Sequence, residues 1–356
     1  MKAAILRGPG KLELKEIPTP STNPDEVLVK VRACGICGSD VQYLQGTNPW
    51  SLHTLGVDEP SPQNIILGHE IAGEVVRADR ANESRLGEHI AINTDKPCEK
   101  CFFCKTGREN LCENVKHIGH DGRWGNVDFV PGGYAEFCRI WETNACAIVP
   151  GVDFEEASQL DGLGVGVHAA KRAQIEAEDS IVVIGCGAVG LMTMQVAKVY
   201  GAGLSICVDR FQKPLDIAHK LGAEVTVDSS KEDLVKSIMS QTENNGADVV
   251  FDTVGTRETV TEGLRALKRG GRLVMFTGFK NSIQIDLRML SGERIITSSS
   301  NNLAKEFHEG IRLLNAHRIQ VKPFITHRFP LSEITKAFKI ASDKREYDAI
   351  KVVIIP

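Results

Sequence analysis

The rhythm of apolar and polar positions changes near residue 150. Before that point, short runs with β character are separated by Gly and Pro: Lys2–Leu6, Leu12–Ile17, Val27–Arg32, Ile71–Arg77, His89–Asn93 and Tyr134–Ile140. Several alternate apolar with polar residues, as strands with one buried and one solvated face do. The stretches near 44–64 and 94–132 are too long for hairpin turns. Long ordered loops in a compact domain are usually functional.

From about residue 153 the pattern becomes strand, then helix, in strict alternation. Strands are predicted at Ser180–Ile184, Leu204–Val208, Glu224–Val227, Ala247–Phe251, Arg272–Phe276 and Arg294–Thr297. Helices fall between them at Val189–Tyr200, Lys213–Leu221, 231–241 and 257–268. The strand runs are Val- and Ile-rich without alternation, which predicts burial on both faces in a parallel sheet. The fold class is therefore α/β, a doubly wound parallel sheet of six strands beside a mainly-β domain. The tail carries an amphipathic helix at Ala304–Asn315, strands at Pro323–Phe329 and Ile350–Ile355, and a helix at 332–341 between them. It is too short for a domain and is expected to pack back on the first one.

Composition narrows the function. The formal charge of −4 gives no global attraction to nucleic acid or anionic membrane, so neither is expected as a partner. No apolar run approaches the ~18 residues of a membrane span. The first residues turn charged too early for a signal peptide, which makes a cytoplasmic location the expectation. Ten cysteines in such a chain read as reduced thiols and metal ligands.

Three constellations carry candidate chemistry. Ile181–Gly190 reads IVVIGCGAVG, so Gly185, Gly187 and Gly190 form G-x-G-x-x-G between an apolar strand and a helix. The glycines permit a tight turn, close approach of a pyrophosphate, and helix–strand packing, while Ala188 and Val189 open the helix whose N–H groups face the phosphates. Asp209 closes the second strand, where an acid holds the ribose hydroxyls; it favours NAD over NADP, and Arg210 tempers that preference. Cys98, Cys101, Cys104 and Cys112 have the spacing C-x2-C-x2-C-x7-C, which suits a closed tetrahedral zinc site. An iron–sulfur cluster is the rival reading, but its x3-C-P ending is missing. Finally Cys37 in CGICGSD, with His69 and Glu70 in LGHE, offers a thiolate, an imidazole and a carboxylate, as a catalytic zinc needs.

These segments stand in a recognisable order: GICGSD, LGHEIAGEVV, the four-cysteine loop, GCGAVG, FDTVG and GGRLVMFTG. Over essentially its whole length the chain resembles the zinc-dependent medium-chain dehydrogenase/reductases, and among them the sorbitol (polyol) dehydrogenase branch. The resemblance implies a GroES-like catalytic domain over residues 1–153, completed by 295–356, and a Rossmann NAD-binding domain over 154–294. It implies two zinc ions per chain, with the catalytic one on Cys37 and His69 and with Glu70 as a direct or alternate ligand. Asp161, in Asp161-Gly162-Leu163, stands where polyol dehydrogenases tend to carry Glu-Pro-Leu, so it is a further ligand candidate, direct or through water. A helix-capping acid is the plainer reading of Asp161. Ordinary alcohol dehydrogenases carry Cys there, and its absence points to polyol-like substrates.

The resemblance also gives Ser39 the substrate proton and Asp40 a supporting place behind the zinc ligands, and it puts Val254 and Gly278 at the cofactor. Where many relatives carry a proton-delivering His, this chain has Gln42, which cannot titrate near neutral pH. Water, a ribose hydroxyl or His53 could take its place. The implied activity is hydride transfer between NAD and a secondary alcohol: a polyol, sugar or cyclitol. Alternatives are an amino alcohol such as threonine or an aminocyclitol, transient oxidation by an enzyme that retains its NAD, and a nucleotide-sensing protein without catalysis. An anionic substrate would need a cation such as Arg123. A homodimer or homotetramer joined through 285–300 is expected. His89, His168, His219, His308, His317 and His327 read as structural or surface residues, while His117 and His120 are left open. Cys34, Cys138, Cys146, Cys186 and Cys207 read as core residues. Tyr43, Trp50 and Trp124 line a pocket or simply pack.

Overall fold

Strand Glu26–Ile36 organises the first unit, because it is hydrogen-bonded to three other strands. In the computed structural model, which describes residues 1–80, 82–120, 124, 127–276 and 282–356, it lies inside a seven-stranded sheet. The order runs Ala145–Ala147, His89–Ile92, Glu70–Arg77, Glu26–Ile36, Lys351–Ile355, Ile325–Pro330, with Phe137–Trp141 also paired to Glu26–Ile36. The alternation expected of half-buried strands fails here: nearly every position of Glu26–Ile36 is buried. Packing on both faces overrides the pattern. A smaller sheet sets Lys2–Gly8 between Lys11–Glu16 and Ile65–Ile66.

The tail supplies the last two strands of the large sheet. Ile325–Pro330 and Lys351–Ile355 run parallel with the helix Ile334–Ser342 between them in sequence, a βαβ unit. Register then does positional work. Gly35 pairs with Glu70 on one side of Glu26–Ile36, and Ile36 pairs with Val352 on the other.

Among the described residues the second unit has six strands: β1 (Ser180–Ile184), β2 (Leu204–Asp209), β3 (Val225–Asp228), β4 (Ala247–Asp252), β5 (Leu267–Met275) and β6 (Ile295–Ser298). All pairings are parallel, in the order β3-β2-β1-β4-β5-β6. This is the doubly wound order whose reversal, between β1 and β4, makes a crevice at the carboxyl ends of the strands. β5 starts five residues before the predicted strand, at Leu267 rather than Arg272. Helix Ala188–Val199 follows β1 directly.

The unit boundaries differ from the expected ones. The first unit is Met1–Asp161, Leu303–Asn315 and Ile325–Pro356; the second is Gly162–Asn302 and Ala316–Phe324. Residues 154–161 therefore go with the first unit, and 295–302 and 316–324 with the second. The reason is pairing: Arg272 to Met275 of β5 are in register with Ile295 to Ser298 of β6, which completes the sheet. Gln195 Nε2 donates to the Gln320 carbonyl at 3.0 Å, and the Gln320 N–H donates back to Gln195 Oε1 at 2.8 Å, which holds 316–324. Each unit has its own apolar core. Tyr43, Trp50 and Trp124 belong to the first of them, as packing residues. Among the described residues no helix is long and apolar enough to cross a membrane.

Candidate functional site

Strand Glu26–Ile36 ends at Cys37, and helix Gly38–Leu44 begins there with Cys37 at its N-cap. Asp40 Oδ2 accepts the Cys37 N–H at 2.9 Å and the Tyr134 hydroxyl at 2.8 Å. Its Oδ1 accepts the Gly68 N–H at 3.3 Å and lies 3.6 Å from His69 Nδ1. Asp40 is fully buried. A buried carboxylate is tolerable only with such donors. It thereby ties the helix start, the Gly68–His69 turn and Tyr134 into one assembly.

Glu70 is held from the far end of the chain. Lys351 Nζ donates to both carboxylate oxygens, at 2.5 and 2.6 Å, and reaches the Ile36 carbonyl at 3.4 Å. Both side chains are buried. Burial alone would push the Lys351 pKa down, but the Glu70 charge reverses that and raises it. A lysine in the run IKVVII needs such a partner, and that isolated charge in an apolar strand was the signal that could have found it.

Around His69 the structure gathers groups from several segments. Its Nε2 lies 4.0 Å from Asp161 Oδ2, and Asp161 Oδ1 accepts the Thr94 hydroxyl at 3.4 Å. Asp161 opens helix Leu160–Ala173 and turns its carboxylate toward these groups. Burial raises its pKa. His117 Nδ1 donates to the Ile118 carbonyl at 2.9 Å, and its Nε2 stands 3.2 Å from both Thr94 Oγ1 and Asp95 Oδ1. Burial pushes Asp95 up to about 7. The His120 ring stacks on His117 with centroids 4.4 Å apart and approaches His69 at 3.8 Å. Burial, and then the neighbouring imidazoles, push the His120 pKa well down.

Ser39 Oγ and His120 Nε2 form a 3.1 Å hydrogen bond. Gln42 is exposed to solvent. The residue that joins Ser39 is therefore 81 positions away, and no local spacing could have pointed to it.

The ligand atoms of Cys37, His69 and Glu70 all lie within 4.8 Å of one another, and so do those of Asp40, His69 and His120. Among the described residues, His69 Nδ1 is buried without a hydrogen-bond partner. Burial opposes a charge on His69, yet Asp40 and Cys37 drive its pKa well above the ordinary imidazole value. A thiol, an imidazole and carboxylates form a donor set that zinc accepts.

The four-cysteine loop is built differently. Cys101 Sγ and Cys104 Sγ are 3.4 Å apart, Cys98 Sγ is 4.0 Å from Cys104 Sγ, and the Cys98 N–H donates to Cys112 Sγ at 3.3 Å. All four sulfurs lie within 4.8 Å of each other, and all are free thiols. The N–H groups of Lys100 and Cys101 draw Cys98 down to about 6, toward the thiolate that a metal binds. Such a set fits a closed tetrahedral zinc.

In the second unit the three glycines shape the turn between β1 and the following helix. Gly185 has φ +93°, and a Cβ on Gly190 would stand 2.0 Å from the Gly185 carbonyl oxygen. A Cβ on Gly187 would meet nothing within 4 Å, so the turn is open there. Gly187 N-caps helix Ala188–Val199 without a side-chain cap, and no acid stands in the first turn. Free N–H groups in an uncapped first turn suit a phosphate. Asp209 Oδ2 accepts the Cys186 N–H at 2.8 Å, and Oδ1 accepts the N–H groups of Arg210 and Phe211 at 2.7 and 3.1 Å. Val254 is exposed beside this turn, positioned by Asp252, whose Oδ1 accepts the N–H groups of Val254 and Gly255. Gly278 and Arg123 lie outside the described residues.

Comparison with known proteins agrees with this geometry. Residues 23–151 match the alcohol dehydrogenase GroES-like domain, and residues 188–316 match the zinc-binding dehydrogenase family. The chain belongs to the zinc-dependent medium-chain dehydrogenase/reductase superfamily. It is similar to the L-threonine 3-dehydrogenase of Symbiobacterium thermophilum, at 31% identity over 98% of this chain and 95% of that one. It is also similar to the sorbitol dehydrogenase of Bacillus subtilis, at 28% over 100% and 97%. A zinc-binding dehydrogenase from Sinorhizobium meliloti, solved bound to NADP, superposes with a TM-score of 0.86 at 28% identity, covering 100% of this chain and 99% of that one. As a member of this superfamily, in its polyol-like branch, the protein is an oxidoreductase.

Proposed function

We propose that this protein is a zinc-dependent dehydrogenase that oxidises a secondary alcohol with NAD, and that its substrate is a polyol, sugar or cyclitol. The observation that carries the reading is the acid-rich pocket, in which Cys37 and His69 are joined by the carboxylates of Glu70 and Asp161. Zinc held by Cys37, His69 and Glu70 or Asp161 supplies a Lewis acid for the alcohol oxygen, and NAD supplies the oxidant. The chain's own residues do the rest. Asp40 orients the His69 ring, and Lys351 holds Glu70. Ser39 Oγ and His120 Nε2 keep a proton between them, at the point where Gln42 offers no titrating group. Thr94, His117 and Asp161 add donors and acceptors that suit a substrate with several hydroxyls.

In the second unit the N–H groups that open helix Ala188–Val199 take the pyrophosphate, and Asp209 accepts the ribose hydroxyls. A carboxylate there disfavours a 2′-phosphate, so NAD is preferred over NADP. Cys98, Cys101, Cys104 and Cys112 hold a second zinc that orders their loop. The protein works in the reducing cytoplasm, where those thiols persist. It assembles as a homodimer or homotetramer through the β6 edge, where Leu287 and Ile295 are exposed.

The test is NADH formation by zinc-loaded protein over polyols, sugars, cyclitols, amino alcohols and simple alcohols, with NADP in parallel. Turnover of a polyol or cyclitol with NAD is expected. Turnover of simple primary alcohols alone overturns the reading. The second reading, an amino-alcohol dehydrogenase, is favoured by the threonine-acting relative, and threonine turnover would establish it. Bound dinucleotide without any turnover points to a retained-cofactor or nucleotide-sensing protein.

A further inference from the structure

We propose that Asp228 is a second selector of the dinucleotide's adenosine end, and that it acts with Asp209 to admit a free ribose diol and reject a 2′-phosphate. The proposal rests on the reading of the second unit as a dinucleotide site. Asp228 closes β3 as Asp209 closes β2, and the two are partners in the parallel register. Directly paired residues of adjacent strands stand on the same face of a sheet. The chain just beyond both is tied together: the Ser229 N–H donates to the Asp209 carbonyl at 3.0 Å. Both carboxylates thus stand at the carboxyl edge of the sheet. That is the edge of the fingerprint turn, whose Cys186 N–H is bound by Asp209.

The surroundings fix the charge at Asp228. Lys231 Nζ lies 2.6 Å from its Oδ2, and the Ser230 N–H donates to Oδ1 at 3.0 Å. Lys231 first, and then Ser230, hold the Asp228 carboxyl down at about 2. Asp228 is largely buried, whereas the Lys231 side chain is two-thirds exposed (67%). A diol brings hydroxyl donors that a carboxylate accepts. A 2′-phosphate brings charge of the same sign to both carboxylates. Lys231 is the natural cation for that phosphate, but it is already committed to Asp228. Asp228 therefore acts twice, through its own charge and by occupying Lys231. Asp209 adds its charge too, but it binds Arg210 through the backbone N–H.

The experiment is a fluorescence titration of the whole protein with NADH and with NADPH, read as the ratio of the two dissociation constants. Asp228→Asn keeps the side chain's shape, and it is expected to shift the ratio about tenfold toward NADPH. With Asp209→Asn added, the shift becomes about a hundredfold. Lys231→Met strips Asp228 of its cation and is expected to move the ratio about threefold the other way, toward NADH. A purely structural disturbance lowers both affinities together and leaves the ratio unchanged. An Asp228→Asn protein that binds NADH with a wild-type ratio overturns the proposal alone. Wild-type protein that binds neither dinucleotide overturns the cofactor reading and the proposal together.

Discussion

The four-cysteine loop and the Cys37 pocket lie in the same unit, and they are built in opposite ways. All four thiols of the loop come from Cys98–Cys112, at short intervals, with nothing else needed to bring the sulfurs together. The Cys37 pocket is drawn from residues 37–40, 69–70, 94–95, 117–120, 161 and 351, and it mixes sulfur, imidazole, carboxylate and ammonium. A local, single-donor cluster closes on itself and stabilises its own segment. A dispersed, mixed cluster depends on the whole unit, and it keeps groups such as Ser39 and His120 beside the ligands. On the proposed function, that is the difference between a site that holds a fold and one that acts on a substrate.

The comparison can be broken most directly at Cys37. Cys37→Ser is expected to lower turnover by about 1,000-fold or more while NADH still binds. Steady-state rates and a binding titration check this, and near-normal turnover would place the chemistry elsewhere. Next comes Lys351→Met, which leaves Glu70 buried without its cation and should cost about 3–5 kcal/mol in a denaturant titration. Lys351→Met with Glu70→Gln should recover most of that stability. His120→Ala should lower kcat about 100-fold with a smaller change in KM, because Ser39 loses its partner. In the local cluster, Cys104→Ser should remove one zinc ion per chain by elemental analysis and lower the thermal midpoint by about 5 °C. The smallest effect is expected from Tyr134→Phe, which deletes one of the donors to Asp40 and should cost about 1 kcal/mol.

What could be read in advance follows the same division. The cysteine loop and the glycine fingerprint are legible because their function needs fixed spacing within one segment. The strands of the second unit were legible from continuous Val and Ile runs, since both faces of a parallel sheet are covered. The sixth strand was legible too, at Arg294–Thr297, but the boundary of the unit was not, because β6 belongs by hydrogen bonding to a sheet whose other strands end twenty residues earlier, at Met275. In the mixed pocket the contiguous residues Cys37–Asp40 and His69–Glu70 carried a signal of their own, and Asp161 was reached only through the resemblance. His120 gave none, because its meaning comes from Ser39, which only tertiary folding brings near. His117 is the same case, with Thr94 and Asp95 as its partners. Lys351 was half visible: an ammonium in an apolar strand demands a counter-charge, but nothing in the sequence says which one.

The strand that carries Lys351 has a consequence for how the protein is made. Glu70 leaves the ribosome 281 residues before its ammonium partner. Almost all of the second unit, Gly162–Asn302, is synthesised in that interval. The nucleotide-type sheet can therefore fold while the earlier unit still lacks its last two strands. The acidic pocket then carries its excess negative charge until Lys351 is translated. A nascent chain stalled before residue 351 would have an intact cysteine loop and an unfinished pocket. Birth order thus makes the first unit, although its translation begins first, the later of the two to be completed.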